Sequence, residues 1–528
     1  MTFIFSNYRL TVIFVALFGI GSSQIYGQQI IRVPNDQPNL SSAVSAVSDG
    51  GIIEYSGGTY HAPAGGYTIY DLPTPKSFTI RAAAGATVVF TGDGSTDILR
   101  LAPSSLANTR PITFQGIIFS DGISHENFIG GGMTLVNTKA IFKDCIFRNN
   151  SAVAAGPGTG GGAQWIAGAI VSFDGCIWDS NSSPNFGGGM SVLGSTVYVR
   201  NSRFNNNRVD VPHHSPNAAG GAIFVNDATV RLTGCTFENN AAGYVGGALY
   251  TLGSWKDPLS TPSVDVIVRD CAFNGNRAQF DPSVFAHAPA VGGAAHFEGQ
   301  TTAKIYNSRF TNNAGRQGGA ISNYLAVTEF TGCVFKGNQA TGVGPDGGQG
   351  GTIIALSVEN GGTNHRSIQL IMTDCLIQGS GSGVKSARQG GGIYAGGDMN
   401  FAYGLGGSPQ NGTEQSNRAI VSLNRVVFDK IAVIGDSATG GLPGTGGAIL
   451  GTFIDLAMTD SIIENCESNN SGAGIQLVDG SVGNVVRSTI ARCTSGDQGT
   501  AITLYGASLN MSDSNVINNA INGTAHGV

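Results

Sequence analysis

Charged side chains are scarce in this sequence: Asp, Glu, Lys and Arg supply 12% of its 528 residues, against roughly 25% in ordinary soluble domains. That is too few for salt-bridged helices and too few for a chain held open by its own charge. The 28 basic residues are scattered and the formal net charge is −6, so the sequence offers no electrostatic footprint for DNA, RNA or an anionic lipid surface. Long apolar runs are also scarce. The run Leu10 to Ile20 is about half the ~20 residues that a membrane-spanning helix needs, and no later stretch is longer and as apolar. Arg9 before it and the small and polar residues Gly21 to Gly27 after it give residues 1–27 the layout of a secretory signal peptide, with the mature chain starting near Gln28. No Cys follows the run, which argues against a lipoprotein anchor.

What the chain has in abundance is glycine, 80 residues of it, and a recurring phrase. Gly220-Gly221-Ala222-Ile223 leads to Cys235-Thr236-Phe237-Glu238-Asn239-Asn240, and Gly318-Gly319-Ala320-Ile321 leads to Cys333-Val334-Phe335-Lys336-Gly337-Asn338. With the Cys/Ser position as origin, the column runs Cys145, Cys176, Ser202, Cys235, Cys271, Ser308, Cys333, Cys375, Val426, Ser461, Ser488 and Ser514, with Ile117 as an earlier member, and its shortest steps are 25, 26 and 27 residues. Such a period fits a coil of three short strands and three turns, stacked as a solenoid. The fold class expected is all-β, a single-stranded right-handed parallel β-helix of about fourteen coils, a rod on the order of 70 Å long. The right hand follows the general preference of parallel crossovers.

Two residues past the origin stand Phe147, Trp178, Phe204, Phe237, Phe273, Phe310, Phe335 and Phe428; a spacing of two puts them on the same strand face as the origin, as a core stack. Five residues past it stand Asn150, Asn181, Asn207, Asn240, Asn276, Asn313, Asn338 and Asn519. Asn tolerates the left-handed backbone of a sharp bend and its carboxamides bond along the stack, so this column reads as a structural ladder. The glycine pairs supply positive φ and close backbone approach at the next corner. Six of the eight cysteines occupy the origin column, Cys466 and Cys493 replace Asn in the ladder, and each has a like-placed partner one coil away. In-register strands about 4.8 Å apart keep Cβ atoms beyond the roughly 3.8 Å mean of a disulfide. Buried, reduced thiols are therefore favoured over cross-coil bridges.

Residues 28–60 read as an N-terminal cap and first strand. Asn39 caps a short helix with Leu40, Val44 and Val47 on one face and Gly50 at its end, and Ile52, Ile53 and Tyr55 begin a strand closed by Gly57-Gly58-Thr59-Tyr60. The helix would cover the open end of the rod. Residues 61–528 read as β-helix repeats; Ser514 to Asn519 is still repeat, and the stack is expected either to end uncapped or to belong to a longer product.

The cap resembles that of the pectate-lyase-like right-handed β-helix superfold. Gly-Gly-Ala-(Ile/Leu) at Gly220 to Ile223, Gly246 to Leu249, Gly318 to Ile321 and Gly446 to Ile449, with Phe-x-x-Asn at Phe147, Phe204, Phe237, Phe273, Phe310 and Phe335, is similar to the repeats of the chlamydial polymorphic outer-membrane proteins. The resemblance covers roughly residues 115–520. It implies a surface-exposed or secreted β-helix of the adhesin sort, extracellular or outer-membrane associated. The C-terminal autotransporter barrel of that family has no counterpart here.

Function is expected between the repeats. One set of extra residues falls between the Asn ladder and the next glycine pair, at Arg208 to Ala219, Arg277 to Val291, Gln339 to Gln349 and Ala432 to Thr445; a second interrupts another corner, at Gly253 to Ser263, Glu359 to Arg366 and Gly396 to Arg418. On these, Trp255, His213, His214, Phe280, Phe285, Phe401 and Tyr403 are candidate contacts to a host-surface or matrix glycan or protein, with rings folded back over the rod as the plainer reading. No cofactor is expected. The alternative, a polysaccharide lyase or hydrolase, would need Ca²⁺ on clustered carboxylates with a basic residue, or two placed carboxylates. Asp144, Asp174, Asp270 and Asp374 recur just before the origin column, which reads as turn chemistry, while Arg200, Arg231 and Arg269 suggest a basic stripe. His213-His214 has no third ligand nearby for zinc. A further alternative is a structural rod that oligomerises through its C-terminal coil.

Overall fold

The computed structural model describes residues 28–528 except 155, 157, 159, 210–217, 255–262, 279–290, 343–347, 359–367, 380–386, 388, 400–417, 436–443, 497–498, 522–523 and 526–528. Among these, three long sheets run the length of a right-handed parallel β-helix. The first has sixteen strands, from Ile30–Val33 to Ser508–Ser512; the second fifteen, from Gly58–His61 to Asn515–Ile517; the third fourteen, from Tyr67–Ile69 to Ile502–Tyr505. One coil shows the path: Thr229–Thr233 in the first sheet, Thr236–Glu238 in the second, then Ala241–Ala242, then Leu249–Leu252 in the third. The two-residue stop is an addition to the expected three-strand coil. Such pairs form their own parallel ladder of eight strands from Ile123–Ser124 to Gln339–Ala340, and a further ladder begins at Ala432–Val433. The single antiparallel pairing among the described strands joins Ala520–Ile521 to Thr524–Ala525.

In-register stacking puts like on like. Phe204 faces Phe237 and Phe237 faces Phe273, and the rings from Phe119 through Phe147, Trp178, Phe204, Phe237, Phe273 and Phe310 to Phe335 lie 4.3–5.3 Å apart, near parallel. Inward and outward residues alternate on the first sheet: Val230 and Leu232 are buried and Arg231 is not. The expected basic stripe is not formed, because Arg231 sits in the column of Tyr198 and Ile267 whereas Arg200 and Arg269 share a column interrupted by Thr233. Arg231 pairs with Asp265, and Arg269 covers the Tyr306 ring at 4.0 Å.

The Asn ladder is formed as expected, but the left-handed corner is one residue earlier. Asn149, Ser180, Asn206, Asn239 and Asn312 have φ of 53–56°, while Asn150, Asn181, Asn207, Asn240, Asn276, Asn313 and Asn338 are buried. The bend turns on the exposed residue, which frees the next side chain to point inward. There, from Asn181 onward, each carboxamide oxygen accepts from the backbone N–H and the side-chain amide of the Asn one coil back, as Asn240 Oδ1 does from Asn207 at 3.0 Å each; Asn150 Oδ1 at the start accepts from Gly122 N at 2.9 Å. Each amide also donates to a core aromatic's carbonyl, Asn240 Nδ2 to Phe204 O at 2.8 Å. Asp144, Asp270 and Asp374 hold the left-handed position of the preceding corner, so turn chemistry accounts for them; Asp174 ends a strand and accepts from Asn201 Nδ2 at 3.0 Å.

All eight cysteines are buried and unbridged. Their sulfurs donate to carbonyls, Cys235 to Val199 O at 3.5 Å for example, and burial pushes the Cys176 and Cys466 thiols up. Unreduced native protein should therefore leave a thiol reagent unreacted, and the same protein in denaturant should react at all eight positions; a shortfall after denaturation would indicate bridges.

At the N-terminal end, Asn39 caps the helix Leu40–Ala46, its side chain accepting from Ser42 N at 3.0 Å, with Leu40, Ala43 and Val44 buried. The helix stops at Ala46, ahead of Gly50, where Val47 turns extended (ψ 136°), and Lys76 Nζ satisfies its end by donating to the carbonyls of Val44 and Val47 at 2.6 and 2.7 Å. A strand that the sequence reading did not identify, Ile30–Val33, precedes the helix and pairs with Ile52–Tyr55. Gly58–His61, expected as a closing turn, is the first strand of the second sheet.

Candidate functional site

The third sheet differs from the other two in what it turns outward. Its strands begin at the residue after each Gly-Gly-Ala, and their second residues form an outward column containing Trp165, Phe224, Tyr250, His296, Ile354, Tyr394 and Leu450. These side chains are buried; Phe224 and Tyr250 form one cluster separate from the rod's core, and Ile354, Tyr394 and Leu450 another. The cover comes from the chain itself. Residues ahead of the glycine pairs, such as Phe186, Ala219, Val245, Val291 and Gln317, bridge from coil to coil, and Ala219, Val245 and Val291 pack onto Phe224 and Tyr250. The pair makes this fold-back possible. The first glycine is left-handed, as at Gly246 (φ 62°), and the second meets only backbone: a Cβ on Gly247 would lie 2.1 Å from Gly293 O.

Both sets of insertions attach to the edges of this sheet. The first set enters it: residues 279–290 stand where Gly243-Tyr244 stand one coil earlier, between the ladder pair Arg277–Ala278 and the bridging Val291. The expected boundaries shift here, because Arg208–Val209, Arg277–Ala278, Gln339–Ala340 and Ala432–Val433 are ladder strands. The second set leaves the sheet, between Leu249–Leu252 and Val264–Arg269, between Ile353–Val358 and Gln369–Thr373, and between Ile393–Met399 and Ala419–Asn424. Its last member starts later than expected, since the strand continues through Met399. The two rows of loops thus flank a sheet about four residues, or roughly 13 Å, across. Trp255, His213, His214, Phe280, Phe285, Phe401 and Tyr403 lie outside the described residues; their loops, though, are rooted on this one flank.

A polar cluster lies on the flank between the roots of 255–262 and 279–290. Phe186, Phe224, Tyr250 and His296 follow one another as rings 4.4, 5.4 and 5.2 Å apart, and Tyr324 meets His296 edge-on at 5.0 Å. Glu298 Oε2 lies 3.0 Å from His296 Nε2 and accepts from the Tyr250 hydroxyl at 2.7 Å. Burial works to raise the Glu298 pKa, but the hydrogen bond and charge of His296, with the Tyr250 hydroxyl, outweigh it and hold the carboxyl below the usual value. Burial first, then the Glu298 charge, pushes Tyr250 well up; burial also pushes Tyr394 up to about 12. Sequence reasoning missed this cluster. The available signal was the residue that follows each Gly-Gly-Ala-aliphatic tetrad, aromatic or aliphatic where alternation calls for a polar one.

Linkage then fixes a pH dependence. Glu298 stabilises the fold above the unfolded carboxylate value of about 4.3 and loses that contribution as pH falls through its lower folded value; Tyr250 stabilises below about 10 and loses its contribution as pH rises through its raised value. Glu298→Gln should cost about 1–3 kcal/mol at pH 7 and flatten the acid limb of melting temperature against pH. An unchanged limb would place the acid sensitivity elsewhere.

Among the described residues no three His, Cys, Asp or Glu side chains converge to hold a metal ion, and no helix is long and apolar enough to cross a membrane.

Comparison with known proteins bears on the fold. Residues 131–323 match the right-handed β-helix region family, and no curated protein matches the chain. Among solved structures it is similar to PfbA, a surface adhesin of Streptococcus pneumoniae, at 12% identity over 89% of this chain and 87% of that one, with a TM-score of 0.40. It is also similar to an alginate lyase from Paenibacillus sp. str. FPU-7, at 12% identity over 65% and 94% with a TM-score of 0.27. A family 28 exopolygalacturonase of Yersinia enterocolitica aligns at 9% identity over 95% and 79% with a TM-score of 0.25. These likenesses concern the fold alone.

Proposed function

We propose that this chain is an exported, non-catalytic β-helix that acts at the cell surface, presenting stacked loops for adhesion to a glycan or protein. The observation that carries the reading is the rooting of both loop sets on the two edges of one sheet, in register from coil to coil. A rigid scaffold with loops aligned along one flank suits repeated contacts to a long or multivalent partner. Export by residues 1–27 and outer-membrane association in the manner of the chlamydial polymorphic proteins belong to this reading.

The test is binding of the full chain to immobilised glycans and matrix proteins, with a variant in which residues 279–290 are replaced by Gly-Tyr, the connection used one coil earlier. Binding that the replacement weakens at unchanged melting temperature supports the proposal; binding by neither protein across the panel counts against it. A second reading, a polysaccharide lyase or hydrolase, would draw on Tyr250, His296 and Glu298 as proton-exchanging groups. Release of unsaturated or reducing ends from a polysaccharide panel would favour it, with Ca²⁺ as the cofactor to add although the described residues offer no donor set for it. A third, an oligomerising rod, would join chains through the coil at 502–521, where Leu504, Met511 and Ile517 are exposed; a monomer in light scattering at high concentration opposes it.

A further inference from the structure

The corner between the third and first sheets, which carries the second loop set, also holds two turns at the N-terminal end of the rod, 70–77 and 102–111. Between them lies a cavity of about 310 Å³, at the small end of the roughly 300–1,000 Å³ typical of ligand sites. Its floor is core: Ile69, Leu101, Ile112 and Thr138 are buried. Pro73, Pro75 and Pro103 form its walls, with φ fixed and no N–H to satisfy, so the walls keep their shape without an occupant.

The charged groups around this cavity are already engaged. Asp71 accepts from Ser104 N and Oγ at 2.9 and 3.0 Å, tying one turn to the other. Arg110 Nη1 donates to Asp49 at 2.6 Å, and Lys76 holds the end of the capping helix. Two lining groups remain open: the Tyr70 ring, 54% exposed, and the exposed Asn108 amide, which also lines the cavity.

We propose that this groove binds a short neutral oligosaccharide. A flat ring at the rim gives a pyranose face a platform, and a carboxamide beside it can donate to one hydroxyl and accept from another. The remaining N–H groups of Arg110 supply further donors. The charges of Asp71, Lys76, Arg110 and Asp49 sum to zero, so the rim carries no excess cation to select a phosphate or an acidic peptide, and a purely apolar occupant would cover the Asn108 amide without giving it a partner. The inference rests on the adhesion reading and gives it a ligand class and a second location, away from the loop-flanked face.

The test is calorimetric titration of the full chain with neutral di- and trisaccharides of glucose, galactose and N-acetylglucosamine, and with uronate trisaccharides as the acidic arm. At least one neutral probe should bind, with affinity reduced tenfold or more in Tyr70→Ala and in Asn108→Ala, retained in Tyr70→Phe, and with melting temperatures unchanged. Binding of uronates alone, no binding of any neutral probe, or neutral binding indifferent to both alanine variants would overturn the groove assignment. If neutral binding survives Tyr70→Ala but is lost when 279–290 become Gly-Tyr, the groove falls and the adhesive flank stands.

Discussion

Gly247→Ala is expected to destabilise the rod by roughly 4 kcal/mol or more, the range reserved for a few identifiable mechanisms. The mechanism here is backbone collision. The added carbon would sit 2.1 Å from Gly293 O and 2.6 Å from the N and C atoms of Arg277, and none of these is a side chain that can turn away. Gly221, Gly293 and Gly319 meet the next coil in the same way, at 2.1–2.2 Å from a glycine carbonyl, so relief at one coil would transfer the clash to its neighbour. Gly194→Ala is the control. That glycine is also left-handed, at φ 51°, but has nothing within 4 Å of the added carbon, so only the conformational penalty of about 1–2 kcal/mol applies. Urea unfolding of both variants, with amide exchange to locate the damage, checks the difference; equal midpoints would show that the second glycine of the pair is not needed for close stacking.

The second large effect is expected at the ladder. Asn240→Ala removes the acceptor for Asn207 N and Nδ2, and the donor to Phe204 O and to Asn276 Oδ1. With each buried group left without a partner costing about 1–3 kcal/mol, the total comes to the order of 4 kcal/mol. Adjacent substitutions should not add. Once Asn240 is gone, part of the bonding of Asn276 is already lost, so the Asn240→Ala/Asn276→Ala double variant should cost less than the sum of its singles. The chain supplies its own comparison, since Cys466 and Cys493 fill the same column without carboxamides. Strict additivity in a double-mutant cycle would mean the carboxamides act as separate residues.

Much of this architecture was legible because a parallel stack writes each corner and core position into the sequence many times over. The aromatic stack, the Asn column, the glycine pairs and the flank bearing the loops could be read from spacing alone. Errors arose where a residue's neighbours along the chain and across coils disagree. The left-handed corner falls on Asn149 and Asn239 rather than on the Asn that follows, because repetition marks both columns and only backbone geometry separates them. Ile30–Val33 belongs to the first sheet through a partner on the far side of a helix, which no repeat announces. The Tyr250–His296–Glu298 cluster was missed for a related reason: its members come from two coils separated by a long insertion, and their outward column is buried by a fold-back that alternation does not foresee. The seven proposed contact residues lie outside the described residues, which fix only where their loops are rooted.

The regularity of the rod changes partway along it. Carboxamides fill the ladder from Asn150 to Asn338 and rings fill the stack from Phe119 to Phe335; beyond, the ring column continues as Ile377, Phe428, Ile463 and Ile490. In a solenoid each coil is coupled only to its neighbours. A change of both columns at one place therefore puts the coupling between the two lengths of rod on the stacking of that one pair of coils, where neither ring-on-ring nor amide-on-amide contact adds to the backbone ladder.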